Sequence, residues 1–262
     1  MLNISHLMTL SLDGEWNFQL LDNPDQTPGK RWQSIPVPGL WTMINGQQPF
    51  GDKPIYTNTQ MPWDQLPPTV PQDNPTGLYE REFSLPSSWK GKRIVLHIGG
   101  FESVAILYIN GKEVGVAKDS HLASEFDITD FISNGSNQIQ IKVIKWSDSN
   151  FIEDQDQWWH AGLHRDVWIE SLPAVHLADV VCDATPNLST HAGVLKVRTS
   201  VNFVGAAAKG YSVRVSVTGR RSVQRVPHRD ARPYIFEGFV TQHEVTLPKV
   251  NLWSAEQPTR YR

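Results

Sequence analysis

Apolar and polar residues alternate with a period of two over short stretches, and polar or glycine-bearing turns separate them. Leu12 to Leu20 alternates around Asp13-Gly14 and puts Trp16 and Phe18 on one face, as a half-buried strand does. Tyr79 to Leu85 repeats the pattern, and Arg93 to Ile98 follows, ending at Gly99-Gly100. Val104 to Ile109 runs into Asn110-Gly111 and Glu113 to Ala117 leaves it; Asn-Gly between two apolar runs is a strong hairpin signal. Gln138 to Val143 and Asp166 to Glu170 complete this set. No long segment carries a 3.6-residue period, so the chain reads as all-β, and this strand spacing predicts a jelly-roll sandwich over residues 1–173.

Between Asp22 and Pro75 the alternation stops. Eleven prolines fall in that stretch, from Pro24 to Pro75, and proline removes backbone donors and fixes φ. Irregular chain rather than sheet is expected there. Five aromatics (Trp32, Trp41, Phe50, Tyr56 and Trp63) argue that it is ordered, and a loop this long in a compact domain is usually functional or disordered. After Ser171-Leu172-Pro173 a second β series begins near His176. Leu195 to Phe203, Tyr211 to Val217 and Gln242 to Leu247 alternate, which predicts an immunoglobulin-like sandwich over 174–262. The run Asn251 to Arg262 reads as the approach to a last strand that the sequence does not contain, so the second domain is expected to be truncated.

Composition narrows the function classes. Lys+Arg 24 against Asp+Glu 27 leaves no basic excess for a phosphate backbone, so nucleic acid is not an expected partner. Cys182, the single cysteine, rules out an internal disulfide and fits a reducing compartment. With no basic leader, no long apolar run and no candidate membrane span, the expectation is a cytoplasmic protein without a membrane partner.

The candidate chemistry concentrates in Trp146 to Val167, WSDSNFIEDQDQWWHAGLHRDV. Asp148, Glu153, Asp154 and Asp156 stand beside Trp146, Trp158 and Trp159. Carboxylates that accept sugar hydroxyls, next to flat rings that stack on a pyranose, are what carbohydrate recognition needs. The same tryptophans also fit a buried core, and the roles of Trp158, Trp159 and His160 stay open at this level. Asp154 reads as structural, paired with Arg165, and Arg165-Asp166 reads as a buried pair. His160 and His164 are four apart, but Gly162 between them and the lack of an HExxH frame argue against a metal site.

Taken in order, several motifs resemble a known family: Leu12-Asp-Gly-Glu-Trp-Asn-Phe18, Pro54-Ile-Tyr-Thr-Asn58, Asn74-Pro-Thr-Gly-Leu-Tyr79 and Asp119-Ser-His-Leu-Ala-Ser-Glu-Phe-Asp127. Trp146-Ser-Asp148, Glu153-Asp-Gln-Asp-Gln-Trp158, Gly162-Leu-His-Arg-Asp166 and Asn251-Leu-Trp-Ser-Ala-Glu256 continue the series. Together they are similar to the N-terminal portion of β-galactosidases of glycoside hydrolase family 2. The Glu-Asp-Gln-Asp run separates these from the related β-glucuronidases and β-mannosidases.

The resemblance implies a sugar-binding jelly roll, then an immunoglobulin-like domain, then a catalytic (β/α)₈ barrel that this chain lacks. It implies retention, which requires two carboxyls about 5 Å apart on the barrel; no catalytic residue transfers to this chain, and the chain alone is expected to be inactive. It carries over Asn58 and Asp156 as substrate contacts, with Asp156 also a sodium ligand shared with barrel residues. Tyr56 and Thr57 become positioning residues for Asn58. Sodium, and magnesium held largely in the barrel, are expected in the whole enzyme, with none bound tightly here. The implied partners are a β-galactoside such as lactose, the rest of the parent enzyme, and further copies of it in a homo-oligomer. A free-standing carbohydrate-binding module is the alternative, as is a piece of a β-glucuronidase or β-mannosidase.

Overall fold

The computed structural model describes residues 8–57, 60–227 and 239–261. The chain divides into two units, Met1–Leu172 and Pro173–Arg262. Strands of the first unit are β1 (Met8–Ser11), β2 (Gly14–Leu21), β3 (Gln33–Val37), β4 (Gly39–Leu40), β5 (Thr76–Ser84) and β6 (Arg93–Ile98). They continue as β7 (Val104–Ile109), β8 (Lys112–Ala117), β9 (Ser124–Asp127), β10 (Ser136–Ile144), β11 (Gly162–Leu163) and β12 (Val167–Leu172). A six-stranded antiparallel sheet runs β3-β2-β5-β10-β7-β8, and a four-stranded sheet runs β1-β12-β6-β9. This is a jelly-roll sandwich.

The alternation seen in the sequence becomes the core. Trp16 and Phe18 of β2, Tyr79 of β5, Leu107 and Ile109 of β7, and Ile139, Ile141 and Val143 of β10 meet Ile94, Leu96 and Ile98 of β6 and Val167 and Ile169 of β12 in one buried cluster. The β7–β8 turn forms as its dipeptide requires: Asn110 and Gly111 both take positive φ (51° and 75°), the backbone of a tight hairpin turn.

The proline-rich stretch departs in part from expectation. Gln33–Val37 is a strand, paired to β2 with Pro36 opposite Glu15. It sits at the edge of its sheet, where a residue without an N–H leaves no ladder bond unmade. Trp41 is fully buried against Phe18 and Tyr79, so this stretch is structural as well as irregular.

In the second unit β13 (Val175–Pro186), β14 (Gly193–Phe203) and β17 (Phe239–Leu247) form one sheet, and β15 (Ser212–Val217) and β16 (Arg220–Arg225) a second. Its cores are small, one around Val201, Val213 and Phe239 and one around Val217, Val245 and Leu247. The architecture is an immunoglobulin-like sandwich following the jelly roll. Among the described residues no helix is long and apolar enough to cross a membrane.

Candidate functional site

A single antiparallel bridge builds the site. Ile55 and Trp159 exchange both backbone hydrogen bonds, at 3.1 and 2.7 Å, and so tie the 52–57 run to the 153–160 run. The second run is fixed at its root. Asn74 brackets Trp146 by accepting from its N–H (2.9 Å) and donating to its carbonyl (2.8 Å). Ser147 and Asn150 then form a capping box on a short 3₁₀ turn over Asp148–Phe151. Glu153 accepts from the Ser120 backbone N–H at 3.1 Å and from the Ser120 hydroxyl, and the Gln157 amide meets the His121 ring at 3.1 Å.

The two adjacent tryptophans separate in role. Trp159 is buried, edge-on to Trp146 (5.9 Å, 66°), which is itself edge-on to Trp63 (4.8 Å). Its indole N–H donates to the Thr57 hydroxyl at 3.0 Å, so Trp159 is the wall that anchors the 52–57 run. Trp158 points the other way and is 53% exposed, with Tyr56 (48% exposed) beside it at 5.5 Å between ring centroids. The Tyr56 hydroxyl donates to the Asp156 carboxylate at 2.7 Å. An oriented carboxylate therefore lies at the edge of an open aromatic pair. Asp156 is exposed, and this oxygen arrangement leaves it able to accept from hydroxyls or to coordinate a hard cation.

Beneath this surface lies a charged cluster that sequence reasoning missed. Lys145 is buried, and its ammonium reaches both Asp52 carboxylate oxygens (2.7 and 2.8 Å) and the Lys53 carbonyl (3.2 Å). Asp52 also accepts from the Trp41 indole at 2.8 Å. Glu102 is buried, and desolvation raises its pKa to about 7 against the His160 backbone N–H and the Lys145 charge, which lower it; Glu153 pushes it further up. Burial and the Lys145 charge hold the His160 imidazole below its ordinary value, and its Nδ1 sits 3.0 Å from the Thr42 hydroxyl. The signal that would have found this cluster is the placement of acids and a lysine inside otherwise apolar alternation, as at Lys145 after Ile141 to Ile144.

Of the residues singled out from sequence, Asn58 lies outside the described residues. Asp154 is exposed, and Arg165 donates instead to the carbonyls of His121 (2.5 Å) and Gly99 (3.5 Å). Arg165 and Asp166 are exposed, not a buried pair: the chain there closes over Gly99, whose N–H the Asp166 carbonyl accepts at 2.9 Å. Gly162 is required by geometry. Its φ is +140°, and a Cβ would stand 2.6 Å from the Gly39 carbonyl oxygen, so only glycine lets β11 pair with β4. Among the described residues no group of three or more His, Cys, Asp or Glu is arranged to hold a metal ion.

Residues 9–173 match the family profile described as glycosyl hydrolases family 2, sugar binding domain. A β-galactosidase of Alteromonas mediterranea is 39% identical over 272 residues, and one of Psychromonas ingrahamii is 32% identical over 269, each alignment covering 96% of this chain. The chain spans about a quarter of the length of these relatives, 25% in both cases. Among solved structures, a β-glucuronidase from an uncultured Clostridium species superposes with a TM-score of 0.69 over 99% of this chain and 42% of its own, at 17% identity, a likeness of fold. The chain belongs to glycosyl hydrolase family 2, and residues 9–173 are that family's sugar-binding domain.

Proposed function

We propose that this chain is the substrate-facing, non-catalytic portion of a retaining β-galactosidase. Asp156 and Asn58 contact the terminal galactose of a β-galactoside such as lactose, and a barrel supplies the acid/base and nucleophile. The observation that carries the reading is the Tyr56–Asp156–Trp158 arrangement: a carboxylate oriented by a 2.7 Å hydrogen bond and bordered by two exposed rings. The alignment of relatives named β-galactosidase across nearly the whole chain supports it.

Within this reading each group has a physical task. The rings offer an apolar face to the sugar, the carboxylate takes hydroxyl protons, and the Tyr56 hydroxyl fixes which carboxylate oxygen faces the ligand. Sodium fits Asp156 as one hard oxygen ligand of several, the others coming from the barrel; any magnesium belongs to the barrel too. The chain alone does not turn over substrate, because neither protonation of the leaving group nor attack on the anomeric carbon has a carboxyl pair here. The parent is a cytoplasmic homo-oligomer in this account. A β-glucuronidase is the second reading, favoured by the fold likeness and opposed by the Glu153-Asp-Gln-Asp156 run.

The test grafts this chain in place of the matching quarter of the Alteromonas mediterranea relative. In that chimera Asp156→Asn is expected to raise KM for an aryl β-galactoside by about ten- to a hundredfold, as losing a charge-assisted hydrogen bond of roughly 1.5–3 kcal/mol would, and to weaken the response to sodium. Unchanged KM together with unchanged sodium response would remove Asp156 from the site.

A further inference from the structure

Lys145 and Asp52 form a closed node behind the 52–57 run. An ammonium has three donors, and all three are used here: on the two Asp52 carboxylate oxygens (2.7 and 2.8 Å) and on the Lys53 carbonyl (3.2 Å). The carboxylate is equally occupied. Its Oδ1 also accepts from the Lys53 backbone N–H at 2.9 Å, and its Oδ2 from the Trp41 indole at 2.8 Å. A buried ion pair adds little net stability over well-packed apolar residues of similar size, so stability alone does not account for this one. What the pair supplies that apolar residues would not is position. It grips the Lys53 backbone as well as the Asp52 side chain.

The lysine stands on firm ground. It directly follows β10, and its own N–H donates to the Pro75 carbonyl at 3.1 Å. The backbone that it holds leads straight to the site. Pro54 comes next; its ring fixes φ and confines Lys53 before it to extended chain. Ile55 then bridges Trp159, Thr57 accepts from the Trp159 indole, and Tyr56 between them donates to Asp156. The run is thus fastened at 52–53, at 55 and at 57, and the first of these does not depend on Trp159. The facing run has separate anchors, Glu153 on Ser120 and Gln157 on His121.

We infer that Lys145 is a positioning residue of the sugar site: through Asp52 and the Lys53 carbonyl it sets where Tyr56 stands, and Tyr56 orients the Asp156 carboxylate. This rests on the reading of Asp156 as sugar-facing. The stiff step across Pro54 carries the placement from the buried pair to the exposed ring.

Amide hydrogen exchange on the chain itself tests this without substrate. The first variant combines Lys145→Met with Asp52→Asn, which removes both charges, keeps an acceptor for the Trp41 indole and frees the Lys53 carbonyl. The Ile55 and Trp159 amides, which form the bridge, are expected to lose protection by about tenfold or more, the worth of a hydrogen bond from a charged donor. Leu107 and Ile141, paired in the six-stranded sheet, should change less, whereas a general loss of stability would speed them too. Nuclear Overhauser contacts between the Tyr56 and Trp158 rings should weaken in the same variant. Pro54→Gly keeps the ion pair but loosens the step to Tyr56; it should weaken those ring contacts as well, and it reports even if the first variant folds poorly. In the chimera the paired substitutions should raise KM, and adding Asp156→Asn should raise it little further, because both act through one carboxylate.

Two results overturn the proposal: bridge amides and ring contacts at wild-type values in both variants, or bridge amides that speed up only in step with Leu107 and Ile141. The sugar reading fails separately, through an inert Asp156→Asn in the chimera, and such a failure would leave this anchoring intact.

Discussion

Lys145→Ala is expected to destabilise the first unit by about 3–5 kcal/mol, the loss typical when one partner of a buried ion pair is removed. The lysine side chain is 1% exposed and its partner Asp52 14%, so water has little access to the carboxylate that would be left behind. Asp52 is also the acceptor for the Trp41 indole, and Trp41 packs on Phe18 and Tyr79 at the centre of the jelly roll. The damage would thus reach the main core, and the ammonium's contact with the Trp146 ring (5.0 Å) would go as well. Burial already pushes the Lys145 pKa down, so the pair itself is not a large net gain. Pairing Lys145→Met with Asp52→Asn should therefore recover much of the loss. Urea unfolding followed by tryptophan fluorescence isolates the first unit, since only Trp253 of the ten tryptophans lies beyond Leu172. A loss below about 1 kcal/mol, the scale of an exposed pair, would mean that Asp52 is effectively solvated.

The second large effect is a dependence of stability on pH that traces to one carboxyl. Glu102 moves from its ordinary 4.5 to about 7 in the fold, so the fold prefers the protonated form. Its stabilising contribution is complete below the unfolded value and is lost as pH rises through about 7. At about 1.36 kcal/mol per pH unit, the rise amounts to about 3 kcal/mol between acid and mildly alkaline solution. Glu102→Gln resembles the protonated form and is expected to be more stable than the wild type at pH above 7, with the two converging as pH falls toward the ordinary glutamate value. Urea midpoints of both proteins across that range decide it; parallel curves would show that Glu102 keeps an ordinary pKa.

Much of the fold is legible in the sequence because its physics is local. Period-two alternation marks β2, β5, β7 and β10, and Asn110-Gly111 marks the turn between β7 and β8. The strands that escape notice lack that signal. Arg220–Arg225 is nearly all polar, and it becomes a strand through the Thr218-Gly219 turn (φ 41° and 79°) and pairing with β15. Gln33–Val37 hides behind Pro36, which an edge position tolerates.

At the site, the concentration of acids and indoles between Trp146 and Val167 is visible in the sequence. The split between Trp158 and Trp159 is not, because it depends on a bridge to Ile55 more than a hundred positions away. The Asp52–Lys145–Glu102 cluster is equally non-local: three charges spaced through the chain acquire meaning only once burial brings them within reach of one another. Arg165-Asp166 shows the opposite error, an opposite-charge pair in sequence whose side chains stay exposed while the backbone does the holding.

In the proposed division of labour this chain presents the sugar and another part of the enzyme cleaves it. The most direct measurement is hydrolysis of a chromogenic aryl β-galactoside by the chain alone, and then mixed with the Alteromonas mediterranea relative lacking its matching quarter. Background turnover alone and activity on mixing, weakened by Asp156→Asn, are expected. Turnover by the chain alone, or silence on mixing when the relative's own first quarter restores activity, would contradict it.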